Sequence, residues 1–445
     1  MQDATSLAAA IASGRTTAAA VMEAALQRAV KVRHLDLLAR LEPELGRANA
    51  LIAAAGPFHG VPFLGKNLGS GAAGLTPNAG SLSMLRRSSD SHEDDALFVR
   101  FRAGGLVPFG LSEVPEFGLA LTSDPARNPW NPDLTPGGSS GGAAGAVAAG
   151  LVAIAHATDA AGSIRVPAAC CGLVGLKPSR GSVPGGPLYG NHLMGLASEL
   201  VLARSVRDVS TAFELTQGFG DAPPTPVDFP NAPVVGLMIP ESCGPQQGLA
   251  TVQAARALQG IGWTLKIIPN SELLPRWTIA VVRRVLSVSL AEWFEALQIG
   301  PDEVSPLSAA FAAEGRAVSA TALFATSREM LQIGQIMRET MAKVDVILSP
   351  VLRQSPPPIG HFDLQSTDVT AHLAKMEAMA PSSALANVTG LPALVLPYGQ
   401  DDGGLPIGLQ LMGRLGSDLA LLNLGAKLQA MSPPLTFPYT IAGHP

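Results

Sequence analysis

Cysteine, charge and long apolar runs are all scarce in this sequence. Cys170, Cys171 and Cys243 are its three cysteines. They are too few for a disulfide framework, and adjacent cysteines rarely bridge each other, so a reducing, cytoplasmic location is expected. Cys170 and Cys171 fall in the apolar run VPAACCGLVGL and read as buried structural thiols. Charged residues make up 15% of the chain, with a formal net charge of −5. No basic block appears, nor a basic stripe interleaved with aromatics, so nucleic acid is not expected as a partner. The N-terminal MQDATSLAAAIASG has no basic region followed by an apolar run, so no secretory leader is expected. The longest weakly polar stretch, Gly141 to Gly162, is mostly Ala and Gly and contains His156 and Asp159. It reads as a packed small-residue helix followed by a strand, not as a membrane span.

What is abundant is apolar material, 47% of 445 residues, with 47 glycines and 37 prolines. That suffices for the core of one large domain or two ordinary ones. Residues 6–55 predict two or three amphipathic helices rich in Ala, Leu and Glu. GPFHGVPFLGKN (56–67) reads as a punctuated turn into a short apolar strand ending on Lys66. A helix at 97–102 precedes GGLVPFG (104–110), a turn and a buried strand. Residues 112–142 contain five prolines and little regular signal, a length that compact domains usually reserve for function. A small-residue helix (143–149), a buried strand (151–155) and a tight turn (158–163) follow. Strands at 234–239, 264–269, 344–350, 392–397 and 406–413 then alternate with helices at 247–260, 276–298, 317–343 and 418–429. Such alternation predicts an α/β fold in which helices cover both faces of one sheet. SPPPIG (355–360) reads as a rigid surface turn, and no internal repeat is present.

Three segments carry residues suited to chemistry. Lys66 ends an apolar strand, where a lysine must either snorkel to solvent or surrender its charge to burial. PGGSSGG (136–142) sets four glycines around Ser139 and Ser140, which allows close approach of main chain to a ligand; a flexible polar loop has the same composition. It lacks the Lys-Ser/Thr ending of a phosphate-binding P-loop. It does fit G-x-S-x-G formally, which would make Ser139 the nucleophile of an α/β-hydrolase elbow, with His361 or His372 downstream. That elbow needs a strand directly before it, and NPWNPDLTP does not read as one. In ATDAAGSIRVPA (157–168), the small residues Ala160, Ala161 and Gly162 would let successive N–H groups converge as an oxyanion hole, with Asp159 and Arg165 flanking them. A plain turn between packed elements is the alternative.

Taken together, these segments resemble the amidase signature family. Its G-V-P-x-x-x-K run, GGSSGG loop and G-T-D-x-G-G-S-I-R-x-P turn read here as GVPFLGK (60–66), GGSSGG (137–142) and ATDAAGSIRVP (157–167). Ser139 and Ser163 stand 24 residues apart, as in the family. NPW (128–130), CGLVGLKPSRG, ARSVRD, TGLPALVLP and GLPIGLQLMG extend the likeness over nearly the whole chain, most weakly between 220 and 340. The resemblance implies one amidase-signature domain over 1–445, built on a large mixed β-sheet. Its parts would be an N-terminal helical region (1–55), a catalytic core (56–215), a variable α/β insert (220–345) and a C-terminal core part (346–445).

The same resemblance implies a serine amidohydrolase. Ser163 would be the nucleophile, Ser139 (after a cis peptide) the bridge, and Lys66, neutral at rest, the proton acceptor. Backbone N–H groups of Ala160, Ala161, Gly162 and Ser163 would hold the oxyanion. Ser140, Asp159 and Arg165 would support the site, and Gly118 and Leu119 would line the acyl pocket. No metal or organic cofactor is implied. The partner would be a small-molecule amide or carbamate, and the enzyme a monomer or homodimer.

The departures from the family pattern carry information too. Ala160-Ala161-Gly162 replaces the usual glycine-rich turn, which keeps the donors but demands an ordinary φ at the alanines. Asn67 stands where an aspartate usually follows the lysine. Val166 replaces the polar residue of glutamine-using tRNA amidotransferase subunits and argues against that activity. A binding scaffold decayed from an enzyme should have lost Lys66, Ser139 or Ser163, and all three are present. The turn and the GPFxGVP-type entry look like those of cyclic-amide (nylon oligomer) hydrolases and environmental urethanases, which points to small hydrophobic or aryl amides or carbamates. Residues 185–198 and 355–380 are the expected pocket wall.

Overall fold

The computed structural model describes residues 2–185, 192–220, 222–269 and 278–445. At the N-terminus, Asp3 and Ser6 cap each other's backbone to start α1 (Ala4–Ala12), and the Thr17 hydroxyl caps α2 (Ala18–Lys31). The next element departs from expectation. Instead of more helix, residues 38–41 form β1 (Leu38–Leu41), an edge strand ahead of α3 (Pro43–Leu51). Four residues are too short to show a period of their own, and pairing across the sheet decides their state.

Ten more strands complete one mixed sheet. They are β2 (Val61–Lys66), β3 (Leu106–Ser112), β4 (Ile154–Asp159), β5 (Val174–Lys177) and β6 (Ser198–Ala203). After them come β7 (Val234–Leu237), β8 (Thr264–Ile267), β9 (Val346–Pro350), β10 (Ala393–Gln400) and β11 (Pro406–Gly413). The order across the sheet is β1-β3-β2-β4-β6-β5-β10-β11-β9-β7-β8. Strand β2 runs parallel to both β3 and β4, and β7 runs parallel to both β8 and β9. The other pairings are antiparallel. Strand β4 begins three residues later than the sequence suggested, because Leu151–Ala153 serve as the buried exit from the preceding helix.

The remaining helices are α4 (Leu82–Arg87), α5 (Ala96–Ala103), α6 (Gly141–Ala148), α7 (Arg165–Cys171), α8 (Val206–Thr216) and α9 (Pro245–Gly260). They continue with α10 (Thr278–Ala296), α11 (Pro306–Ala317), α12 (Ala320–Met341), α13 (Val369–Met379), α14 (Ser383–Thr389) and α15 (Asp418–Met431). Helix α11 had no counterpart in the sequence reading. Ser319 accepts from the Ala322 N–H to start α12 as a separate helix.

Register shows that helices cover both faces. Leu394 pairs with Leu411, and Val395 with Gln410, so alternate residues of β10 and β11 point to opposite sides. On one side a Cβ added at Gly425 of α15 would sit 2.4 Å from Leu394. On the other, a Cβ at Gly408 would sit 2.4 Å from Ala169 of α7. Only glycine lets these helices approach the sheet so closely. Cys170 and Cys171 are fully buried in α7, and burial pushes both thiols up, away from reactivity. No described helix is long and apolar enough to cross a membrane.

Candidate active site

Because β2 and β4 are parallel neighbours inside the sheet, Lys66 and Thr158 lie near each other towards the C-terminal ends of those strands. Lys66 is fully buried. Its Nζ lies 2.8 Å from Ser139 Oγ and 2.7 Å from Thr158 Oγ1. Burial lowers its pKa to about 7, with the Asp159 and Glu199 charges partly offsetting the shift. At neutral pH the amine is therefore available as a proton acceptor from Ser139. The Asn67 side chain does not take part. It exchanges hydrogen bonds with Asn78, so the departure at 67 shapes the loop and leaves the lysine's charge balance to Asp159 and Glu199.

The glycine loop is brought across these strand ends by α6. The Gly138–Ser139 peptide is cis, and a Cβ on Gly138 would sit 2.4 Å from the Thr122 carbonyl oxygen. Ser140 Oγ donates to the Thr158 carbonyl at 3.2 Å, and Ser123 Oγ donates to the Ser139 carbonyl at 3.2 Å. Ser140 therefore ties the loop to β4. No strand precedes Ser139, as a nucleophile elbow would require. The histidines it would need are elsewhere: His372 Nε2 lies 2.8 Å from the Leu119 carbonyl, and no histidine hydrogen-bonds Ser139 or Ser163 among the described residues.

The turn after β4 is organised from beneath by a buried ion pair. Arg165 donates from Nε to Asp159 Oδ2 and from Nη2 to Asp159 Oδ1, both at 2.9 Å. It also reaches Gln410, Asn387 and the Ser383 carbonyl. Burial alone would raise the Asp159 pKa, but the Arg165 charge and hydrogen bonds, joined by Asn387, hold it well below the usual carboxylate range. Asp159 Oδ1 accepts from the Gly162 N–H at 2.7 Å. That donor, expected in the oxyanion hole, is thus committed to bracing the turn. The N–H groups of Ala160, Ala161 and Ser163 have no hydrogen-bond partner among the described residues. Ala160 and Ala161 keep ordinary φ, whereas Gly162 takes φ +123°.

Ser163, 7% exposed, and Ser139 open into a cleft of about 510 Å³, which includes its open mouth. Gly118 and Leu119 line it, as expected. Gly118, at φ +69°, passes so close that a Cβ there would stand 3.2 Å from Ser139 Oγ. Of the expected wall 185–198, Leu193 reaches the cleft, and residues 186–191 lie outside the described residues. The 355–380 stretch does not line it, although His372 braces Leu119. Leu68 and Phe117 add apolar surface from the β2 and β3 loops, and Leu286, Leu290 and Trp293 add it from α10. From the sequence no role is expected for these residues, nor for Thr158, Asn387 and Gln410. Asn387 lies 222 residues from Arg165, with no local motif to mark it. No described group of three or more His, Cys, Asp or Glu is placed to hold a metal ion.

Comparison with known proteins identifies the family and the fold. The family model for Amidase matches residues 20–249 and 285–422. The 6-aminohexanoate-cyclic-dimer hydrolase of Paenarthrobacter ureafaciens is 32% identical, over 97% of this chain and 95% of that protein. A solved structure of 6-aminohexanoate cyclic dimer hydrolase complexed with substrate superposes with a TM-score of 0.91, at 29% identity and 99% coverage of both chains. An amidase crystal structure superposes with a TM-score of 0.83, at 27% identity over 97% of this chain and all of that one.

Proposed function

This chain belongs to the amidase family, and on that premise we propose that it hydrolyses amide and carbamate bonds of small, uncharged, hydrophobic or aryl substrates through an acyl-enzyme at Ser163. The observation that carries the reading is the buried Lys66, brought to about pH 7 by burial and hydrogen-bonded at 2.8 Å to Ser139. A lysine in that state can take a proton without histidine.

In this mechanism Ser163 Oγ attacks the carbonyl carbon while its proton passes to Ser139 Oγ, whose own proton moves to Lys66 Nζ. Thr158 Oγ1, at 2.7 Å, holds the amine in line. The oxyanion is received by the N–H groups of Ala160, Ala161 and Ser163, each such donor being worth about 3 kcal/mol in the transition state. Lys66 returns the proton through Ser139 to the leaving amine or alkoxide. Water then attacks the acyl-enzyme by the same relay, releasing an acid from an amide. From a carbamate it releases carbamic acid, which breaks down to amine and carbon dioxide.

The cleft wall supports this substrate class. Leu68, Phe117, Leu119, Leu286, Leu290 and Trp293 favour an apolar acyl group and offer no charged partner for an amino acid such as glutamine. The likeness to cyclic-dimer hydrolases supports an amide between unbranched, uncharged chains.

The test pairs substrates with active-site labelling. The purified protein is incubated with an aryl amide, a dicarbamate, a linear amide oligomer and glutamine. Turnover of glutamine alone would overturn the substrate class. A fluorophosphonate probe should label the wild type and not Ser163→Ala. Labelling that survives Ser163→Ala but not Ser139→Ala would move the nucleophile to Ser139.

A further inference from the structure

Lys66 needs two opposed properties: it must be neutral at rest, yet hold a proton while the acyl-enzyme forms. Burial supplies the first, and a network behind β4 is built for the second. The β2–β4 ladder pairs Phe63 with Ile154 and Leu64 with Ala155 and stops there. Beyond it, the Lys66 backbone N–H donates to His156 Nδ1 at 3.2 Å. A ring nitrogen that accepts carries no proton, so the imidazole is neutral with its proton on Nε2. That Nε2 lies 2.8 Å from Glu199 Oε2.

Glu199 is the cross-strand partner of Thr158, so His156, Thr158 and Glu199 share one face of the sheet. Ser70 donates to both Glu199 oxygens, from its N–H at 2.9 Å and its hydroxyl at 3.0 Å. Gly69, at φ +104°, lets that loop press down: a Cβ there would stand 2.7 Å from both Glu199 Oε2 and Thr158 Cγ2. Phe98 and Phe101 of α5 pack against the His156 ring and keep it dry.

The charges around the lysine divide unequally. Asp159 and Glu199 are the two anions that act on Lys66. Asp159 is matched directly by the Arg165 fork, with Lys177 also acting on it. Glu199 has a neutral imidazole and a serine as partners, with Asp95 as the other carboxylate near the pair. Among the described residues, the anion left without a matching cation beside it is therefore Glu199.

We infer that His156 and Glu199 are positioning residues for the amide hydrolysis, His156 fixing the Lys66 main chain and Glu199 stabilising the lysine in the protonated state it enters during acylation. The inference rests on the proposed role of Lys66 as base. Neither residue lines the cleft.

The experiment is the pH profile of kcat/KM on an aryl amide, beside kcat and KM separately. Glu199→Gln keeps the shape and removes the charge. Its acid limb is expected to move to lower pH by about half a unit to one unit, the smaller end of what a nearby opposite charge imposes. Plateau kcat should fall several-fold with KM unchanged. His156→Phe should lower kcat about tenfold, again at constant KM, the scale of a modest misplacement of a catalytic group. A folded Glu199→Gln protein with its acid limb and kcat both at wild-type values overturns the inference. Should Glu199→Gln not fold, Glu199→Asp decides the point: withdrawing the charge by one methylene gives a smaller shift of the same sign, and an unmoved limb with unmoved kcat overturns it. Lys66→Met separates this from the mechanism beneath it. Wild-type activity in Lys66→Met would remove the base itself, whereas its inactivity beside an unaffected Glu199→Gln would remove only the role of Glu199.

Discussion

Arg165 grips Asp159 with two parallel hydrogen bonds of 2.9 Å, and neither side chain is exposed to solvent. The pair lies directly under the turn that carries Ser163, and its carboxylate also holds the Gly162 and Ile164 N–H groups. Arg165→Met would leave a buried carboxylate without its cation, at a cost of about 3–5 kcal/mol. Urea unfolding measures this directly. A loss below about 0.5 kcal/mol, within the range of an ordinary surface substitution, would mean that the turn is held by other contacts.

Lys66 links pH to both rate and stability. As the proposed base it acts in its neutral form, so kcat/KM should rise through about pH 7 and level off above it. Stability runs in the same direction. The folded pKa lies below the unfolded one, so the stabilising contribution is present above the usual lysine range and is lost as pH falls towards 7. Lys66→Met should therefore abolish turnover while making the fold more resistant to urea at pH 6 than the wild type. Lys177 is also buried and also lowered to about 7, chiefly by burial and then by the Arg165 charge. Its Nζ donates to the Pro178 carbonyl and to neither candidate serine, so Lys177→Met should keep the acid limb of the rate profile.

Gly118 should tolerate no side chain. Alanine there would meet Leu68 at 2.6 Å and stand 3.2 Å from Ser139 Oγ, on a backbone with φ +69°. Backbone strain of this kind costs about 1–3 kcal/mol. Displacement of Ser139 should lower kcat more than it raises KM. Steady-state kinetics and a thermal melt of Gly118→Ala separate the two effects, and wild-type kcat would show that the loop moves aside freely.

Trp293 lines the cleft from α10, where its ring also lies against Phe117. Trp293→Ala should lower kcat/KM for small acyl groups about 10- to 200-fold, the range for lost contact in an apolar pocket. Bulkier aryl acyl groups should lose less or gain. An unchanged ranking across an acyl series would place substrate elsewhere in the cleft.

Much of this was legible in the chain. From 56 to 110 and from 234 onward the strands and the helices α5, α9, α10, α12 and α15 follow hydrophobic period and Gly/Pro punctuation, with β11 on the expected residues 406–413, whereas α4, α11, α13 and α14 had no expected counterpart. What failed, failed for a physical reason. Strand β1 is too short to carry a period and is made by its pairing with β3. Helix α11 is separated from α12 by a Ser319 cap rather than by a break in composition.

By itself, the sequence offered a strand-end lysine, a glycine-held serine and a small-residue turn as local patterns, and only their joint resemblance to the amidase signature family singled out Lys66, Ser139 and Ser163. It also limited Ala160 and Ala161 to ordinary backbone, which the structure keeps. Only the tertiary structure decided the protonation of Lys66, the commitment of the Gly162 donor to Asp159, and the arrival of Asn387, Glu199 and Trp293 around the site. Desolvation and hydrogen bonding depend on what the rest of the chain packs nearby. No window of sequence holds that sum.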